Sequence, residues 1–483
     1  MTNEKTLTQL NFSDIQGYII RGYNMNNVRH FVLYIKDAKV TKKFIGSLVS
    51  GIDESIPQIT TAAWWDIKPS YCLNIGFTFE GLNALQIVAD IGKSFSGSNY
   101  KSFRQGAIAQ ATQVGDIGES APDKWKGGLG TSNTHVLLSL YAQDSKVLEQ
   151  QSDKLRSLFK EGDALKELSC FDGAKLPDEK GQPSDIVHFG YKDGISQPKI
   201  EGVPTKRGLS KFLDPQPIIP AYEFILLDDE KAPYYVPTPP ELGLNGSFAA
   251  FRVLEQDVAG FEKFLQEQKD KIDSDKLAAK MCGRWRNGVP LDLSPDADQL
   301  TPPKESIIYE QFNNFDYSDD PQGYKCPIGS HIRRTNPRAA KIQGVTNIHR
   351  LIRRGIPYGS LYNPNSPNDG IERGLLGLFI CVNLKRQFEF VMEEWVNKGD
   401  FAGLPTDAKA PLIGANDNKS GQFDIPVSPD NPSIKLTGFD RFITTKGGAY
   451  CFIPSITALQ HIASSLPTQK CCVMAGERGR GKG

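Results

Sequence analysis

Three stretches of this chain bring together side chains able to move protons, hold a metal and stabilise negative charge. In Gly190-Tyr191-Lys192-Asp193-Gly194-Ile195-Ser196-Gln197-Pro198-Lys199 a single carboxylate lies between two glycines and ahead of a Ser-Gln-Pro run. In Cys326-Pro327-Ile328-Gly329-Ser330-His331-Ile332-Arg333-Arg334-Thr335-Asn336-Pro337-Arg338 a histidine is followed by arginines. The third stretch, Leu351-Ile352-Arg353-Arg354-Gly355-Ile356-Pro357-Tyr358-Gly359, adds two more arginines. Taken alone, the first is turn chemistry, since an Asp-Gly step accepts positive φ and closes hairpins. An acid, a histidine and an arginine together are what a haem site that cleaves peroxide needs.

The six histidines, at 30, 135, 188, 331, 349 and 461, contain no pair at metal-chelating spacing, which argues against a multi-histidine metal centre. A single axial histidine to haem iron needs no such partner, because the porphyrin supplies the equatorial ligands. His331 is the best candidate by its surroundings. Arg333, Arg334 and Arg338 carry the planar guanidinium suited to bidentate pairing with haem propionates, and a solvated basic loop is the competing reading.

Short strands alternating with single helices must position these groups. Phe31 to Ile35 reads as a strand with a helix over Val40 to Val49 behind it. Tyr71 to Phe79 and His135 to Tyr141 are again strand-like, the latter followed by a charged helix from Ser145 to Phe159. The pattern recurs later. Glu223 to Leu227 and Gly246 to Leu254 read as strands, Val258 to Ile272 as a helix, Leu378 to Asn383 as a strand and Gln387 to Val396 as a helix. Tyr450 to Pro454 and Ser455 to Ser464 form a last strand-helix pair. The economical interpretation is α+β, in two similar halves of helices on antiparallel sheet. The Pro/Gly-rich stretch from Pro215 to Asn245 holds the boundary, giving domains over 1–217 and 218–475 and a basic glycine-rich tail over 476–483. Arg284 to Tyr324 and Ala402 to Pro432 read as long irregular covers.

Composition removes several function classes. Lys+Arg and Asp+Glu both number 56, so there is no overall pull toward nucleic acid or an anionic membrane. The eight cysteines lack CxxC spacing, against a zinc ribbon or dithiol motif, and read as buried small apolar residues. Nowhere do ~18 apolar residues run together, so no membrane span is expected. The polar start Met1 to Leu7 shows no export signal, and with free thiols the expected address is cytoplasmic. Self-association as a homo-oligomer is left open.

In their order along the chain, the GxxDG segment, the His331-Ile332-Arg333-Arg334-Thr335-Asn336-Pro337-Arg338 run and the arginine ahead of Ile356-Pro357-Tyr358-Gly359 resemble the pattern of the dye-decolourising peroxidases, a haem peroxidase family. Glu372-Arg373-Gly374-Leu375-Leu376 and Gln387-Phe388-Glu389-Phe390 extend the likeness, which covers most of the chain from Phe12 to the last helix. The resemblance implies two ferredoxin-like halves, each an antiparallel sheet with peripheral helices, of the dimeric α+β barrel type. It implies one haem b per chain, held mainly by the C-terminal half, and reduction of hydrogen peroxide through a ferryl intermediate with oxidation of phenolic or dye-like small-molecule reductants.

By motif position the resemblance makes Asp193 the distal acid, Arg353 the distal arginine and His331 the axial ligand. Gly194, Ile195, Ser196, Gln197, Arg333, Leu376 and Phe379 join these three as residues contacting the cofactor. The physics agrees: an ionised Asp193 can carry a proton between the two peroxide oxygens, and a nearby Arg353 favours that ionised form and stabilises charge on the breaking bond. A carboxylate on the far nitrogen of His331 would raise its basicity. The chain departs from the family there, with Ala410 where an acid often precedes the proline. Glu389, Asp407 or Asp417 are the substitutes considered. Gly377, inserted among apolar residues, is a second departure that would shift a pocket wall or bulge a strand. Large substrates would need electrons relayed through tyrosine or tryptophan, of which core packing is the commoner use. A haem carrier with little turnover is the alternative function, weakened by the pairing of Asp193 with Arg353. A cofactor-free protein acting through protein contacts is the third.

Overall fold

The structure, a computed structural model, describes residues 10–53, 55–204, 216–298, 311–338, 346–404 and 408–465. Eight strands form one antiparallel sheet: β1 (Asn27–Ile35), β2 (Tyr71–Phe77), β3 (Val136–Ala142), β4 (Leu165–Ala174), β5 (Ser247–Gln256), β6 (Ile352–Tyr358), β7 (Gly374–Cys381) and β8 (Ile443–Ile453). Their order is β4-β1-β3-β2-β8-β5-β7-β6. Numbered within each half of four strands, both halves read 4-1-3-2, the ferredoxin-like order, so the expected α+β repeat is what the chain forms.

The helices Ala38–Ser47 and Ser145–Lys160 cross over in the first half; Asp37 and Asp144 cap them by accepting from the amides of Val40 and Val147. In the second half the crossovers are Val258–Glu267 with Ser274–Cys282, and the π-helical stretch Lys385–Glu389 and Val391–Val396. The halves join where Phe77 of β2 pairs with Phe452 of β8. At the other end, edge strands β4 and β6 abut without pairing. A Cβ on Gly173 would lie 2.5 Å from Ile356 and 3.0 Å from the Pro357 carbonyl. The sheet thus curls almost into a barrel, and one apolar cluster runs through both halves.

Several local expectations change. Glu223 to Leu227 is no strand: Ala221–Glu223 makes a short 3-10 turn, and Phe224, Ile225 and Leu226 follow as a buried loop with Leu226 bonded to the chain at Asn245 and Gly246. The helix expected to Ile272 stops at Glu267, and a new one capped by Asp273 starts at Ser274. The second irregular stretch contains Gly421–Ile425, which pairs with Ile434–Phe439 as a two-stranded ribbon. Gly377 bulges nothing. It pairs in unbroken register with Arg252 on one side and Gly355 on the other. The start Met1 to Leu7, Asp407, Cys471, Cys472, part of each expected loop, the tail from 476 and residue 215 at the edge of the expected boundary lie outside the described residues. No described helix is long and apolar enough to cross a membrane.

Candidate active site

The Asp193 segment keeps its turn character. The Gly190 amide donates to the Val187 carbonyl (2.7 Å), and the Val187 amide to the Tyr191 carbonyl (3.0 Å). Gly190 and Gly194 sit at φ of 82° and 76°, where a side chain would be strained. Asp193 is held between those glycines by its own amide, which donates to Asp185 at 2.8 Å.

The loop then docks on the edge of β6. The Gln197 side-chain amide donates to the Arg353 carbonyl and its oxygen accepts the Arg353 amide, both at 3.1 Å. The guanidinium of Arg353 donates to the Ser196 carbonyl at 2.6 Å. A Cβ on Gly355 would lie 3.9 Å from the Asp193 carboxylate. Arg353 and Gly355 are two apart on a strand and share a face, so acid and arginine are gathered on one face of β6. Arg354 points to the other face, into the barrel, where it donates to the carbonyls of Tyr18 (2.8 Å) and Ile19 (3.3 Å).

His331 opens the short helix His331–Thr335. Arg334 anchors that helix: its buried guanidinium donates to Trp395 (2.7 Å), Lys398 (3.1 Å) and Ala408 and lies over the Phe401 ring. The imidazole is set deep among protein atoms yet retains some accessible surface. Its Nδ1 is buried with no hydrogen-bond partner among the described residues. Burial pushes its pKa down to about 4, the Arg353 charge adds to that shift, and Asp193 opposes it. The ring is therefore neutral near pH 7, and the fields of Asp193 and Arg353 reach it. The Ser196 hydroxyl is likewise buried and unpartnered.

Other expected contacts fall elsewhere. Arg333 is turned away from His331: its guanidinium is spent on the Asp320 carboxylate (3.0 Å) and on the carbonyls of Cys326 and Asp320 (2.6 Å each), over the Tyr317 ring. Two residues apart on a helix, it lies on the side opposite His331. Leu376 also lies on a different face from Arg353. Leu376 pairs with Ile356, and both face the barrel interior, whereas Phe379 pairs with Arg353 and shares its face. Ile195 covers Gly288, and its carbonyl accepts from Asn313 at 2.9 Å.

Neither described substitute for the missing acid partners His331. Glu389 is buried and accepts from Ser102 at 3.0 Å, and burial raises its pKa. Asp417 is paired with Arg441. Ala410 is fully buried in an apolar cluster. Sequence reasoning missed the docking role of Gln197 and the anchor made by Arg334, neither of which has a periodic signal.

Comparison with known proteins gives the chain's relatives. The model of the DyP dimeric alpha+beta barrel domain matches residues 14–177. Peroxidase 2 of Mycetinis scorodonius is 30% identical over 474 residues, covering 94% of this chain and 88% of that protein. A dye-decolorizing peroxidase of Exidia glandulosa is 30% identical over 94% of this chain and 87% of its own. Among solved structures, a fungal DyP-type peroxidase from Auricularia auricula-judae superposes with a TM-score of 0.79 at 27% identity, covering 95% of this chain and all of that one. Relatives this similar over nearly the full chain make it an oxidoreductase of the peroxidase class, on the double ferredoxin-like barrel described above. The chain belongs to the dye-decolorizing peroxidase family.

Proposed function

We propose that the chain holds one haem b, with His331 as axial ligand and Asp193 and Arg353 on the opposite side, and reduces hydrogen peroxide while oxidising phenolic or dye-like molecules. The observation that carries this is His331 itself: a deeply set imidazole whose Nδ1 is buried with no hydrogen-bond partner among the described residues, close enough to an acid and an arginine from other elements to feel their charge. The donor set suits haem, because a porphyrin would supply all the equatorial donors and a single neutral nitrogen from the protein would then suffice. When bound, haem supplies the iron that takes up peroxide and accepts the reductant's electrons.

The protein's own part is proton and charge handling. Asp193 takes the proton from the inner peroxide oxygen and delivers it to the outer one, so that water leaves. Arg353, tethered through Ser196 and Gln197, stabilises negative charge as the bond breaks. The balance is H2O2 + 2 AH → 2 H2O + 2 A•, with AH the reductant. In this reading the first domain ends near residue 217, so the Asp193 loop leaves the first repeat to complete a site built mainly on the second.

The test is an absorbance spectrum of the full chain supplied with excess haem, before and after hydrogen peroxide, with turnover of Asp193→Ala and Arg353→Leu. A Soret band that shifts with peroxide, and turnover that collapses in both variants, is expected. No Soret band, or full activity in both variants, overturns the proposal. Reversible haem transfer without turnover would favour the carrier function instead.

A further inference from the structure

The register of β6 and β7 sets two glycines face to face beside the proposed proton carrier. Arg353 pairs with Phe379, Gly355 with Gly377 and Pro357 with Leu375. Cross-strand partners share a face, so on the Arg353 side a row without side chains lies between the Arg353–Phe379 and Pro357–Leu375 rows. The Asp193 carboxylate stands over this bare row, 3.9 Å from where a Gly355 Cβ would be.

Backbone conformation does not require either glycine. Neither has a positive φ, and a Cβ on Gly355 would meet only ordinary contacts, the other being the Leu376 carbonyl at 3.8 Å. Glycine inside a strand costs roughly 0.5–1 kcal/mol relative to alanine, and is typical where a ligand or another backbone comes close. No backbone presses on Gly355 from above. Over Gly377 the nearest atoms belong to the Phe379 ring, with Cε2 3.1 Å from the Cβ position. That ring is partly exposed and leans on Phe388 at 5.4 Å between centroids. The ring thus leans over the Gly377 end of the row, and space there opens where its side chain takes another rotamer.

We infer that the Gly355–Gly377 floor, walled by Phe379, admits organic hydroperoxides bearing an aryl or branched alkyl group to Asp193, and that Gly377 determines this specificity. The inference rests on the haem-site reading above. The chemistry is the same two-electron reduction: ROOH + 2 AH → ROH + H2O + 2 A•. The O–O bond breaks, Asp193 delivers its proton to the alkoxy oxygen, the alcohol leaves in place of water, and the electrons come from the same reductant.

The experiment uses haem-loaded full chain, wild type against Gly377→Leu and Gly355→Ala. One arm measures kcat/KM for cumene hydroperoxide and for hydrogen peroxide. The other measures Kd for 4-phenylimidazole and for cyanide by absorbance. Gly377→Leu should lower the cumene-to-hydrogen-peroxide ratio about tenfold and raise the 4-phenylimidazole-to-cyanide Kd ratio by a similar factor, the scale of a lost apolar fit. Gly355→Ala, which has room to fold, should move both ratios the same way by a few-fold. Unchanged ratios in both variants, with hydrogen peroxide turnover intact, overturn the inference alone. A wild type that shows no spectral change with either ligand overturns the haem-site reading with it.

Discussion

Gln197→Ala tests whether Arg353 is positioned through its main chain. The Gln197 side chain makes two neutral hydrogen bonds to Arg353, each 3.1 Å, on the open edge of β6. At ~0.5–1.5 kcal/mol net per bond, their loss costs about 1–3 kcal/mol. If all of that appeared as misplacement of the guanidinium, each ~1.4 kcal/mol would be a tenfold loss in rate. Arg353 keeps its own bond to the Ser196 carbonyl, so part of the position survives. The expected result is roughly a tenfold fall in kcat/KM for hydrogen peroxide, with a urea midpoint lowered at unchanged slope. Gln197→Glu, which keeps the acceptor and loses the donor, should fall between. In an Arg353→Leu background the same substitution should still cost stability but no further rate. Wild-type kcat/KM in Gln197→Ala, while Arg353→Leu is severely impaired, would refute the positioning argument.

Three further outcomes follow from buried charge and hydrogen bonding. The folded-state pKa of His331, about 4, lies below its ordinary 6.5, so the unfolded chain binds the proton more readily. This stability is present above pH 6.5 and lost as pH falls toward 4. Haem-free His331→Gln should therefore lose up to about 3 kcal/mol less than wild type over that interval, read from urea midpoints at the two pH values; equal losses would contradict it. Arg334→Met strands three carbonyl acceptors, partly offset by removing a buried charge. A net cost of about 3 kcal/mol is expected, with faster haem loss to a scavenger protein. Asp116→Ala leaves Arg252 buried without its carboxylate and should cost about 3–5 kcal/mol in urea unfolding, while adding Arg252→Met should recover part of that.

Within the eight-stranded sheet, the strands that sequence periodicity missed are the two edges. β4, Leu-Lys-Glu-Leu-Ser-Cys-Phe-Asp-Gly-Ala, and β6, Ile-Arg-Arg-Gly-Ile-Pro-Tyr, carry polar residues, glycine and proline, which edge strands tolerate and which erase the apolar alternation. Barrel closure was unreadable for the same reason, since it is made by those edges meeting. The interior strands, with nearly continuous buried runs such as Val136–Ala142, were legible. Residue types at the site were legible as well, because an acid in a tight turn and a histidine among arginines are local features.

Direction was not local, and one rule decides each misplaced or ambiguous residue. A strand turns each side chain by half a circle, which separates Arg353 from Arg354 and Phe379 from Leu376. A helix turns by about 100° per residue, which swings Arg333 away from His331 toward Asp320. A motif therefore supplies candidates, and the element that carries it removes those facing the wrong way. The same rule applied across strands, rather than along one, brings Gly355 and Gly377 together from separate motifs. Gly377 stands out in its own run only as an interruption of apolar residues, and Gly355 does not stand out at all. Only the register makes them a shared floor beneath Asp193, which is why the residue with the greatest expected leverage on substrate size is one that has no side chain.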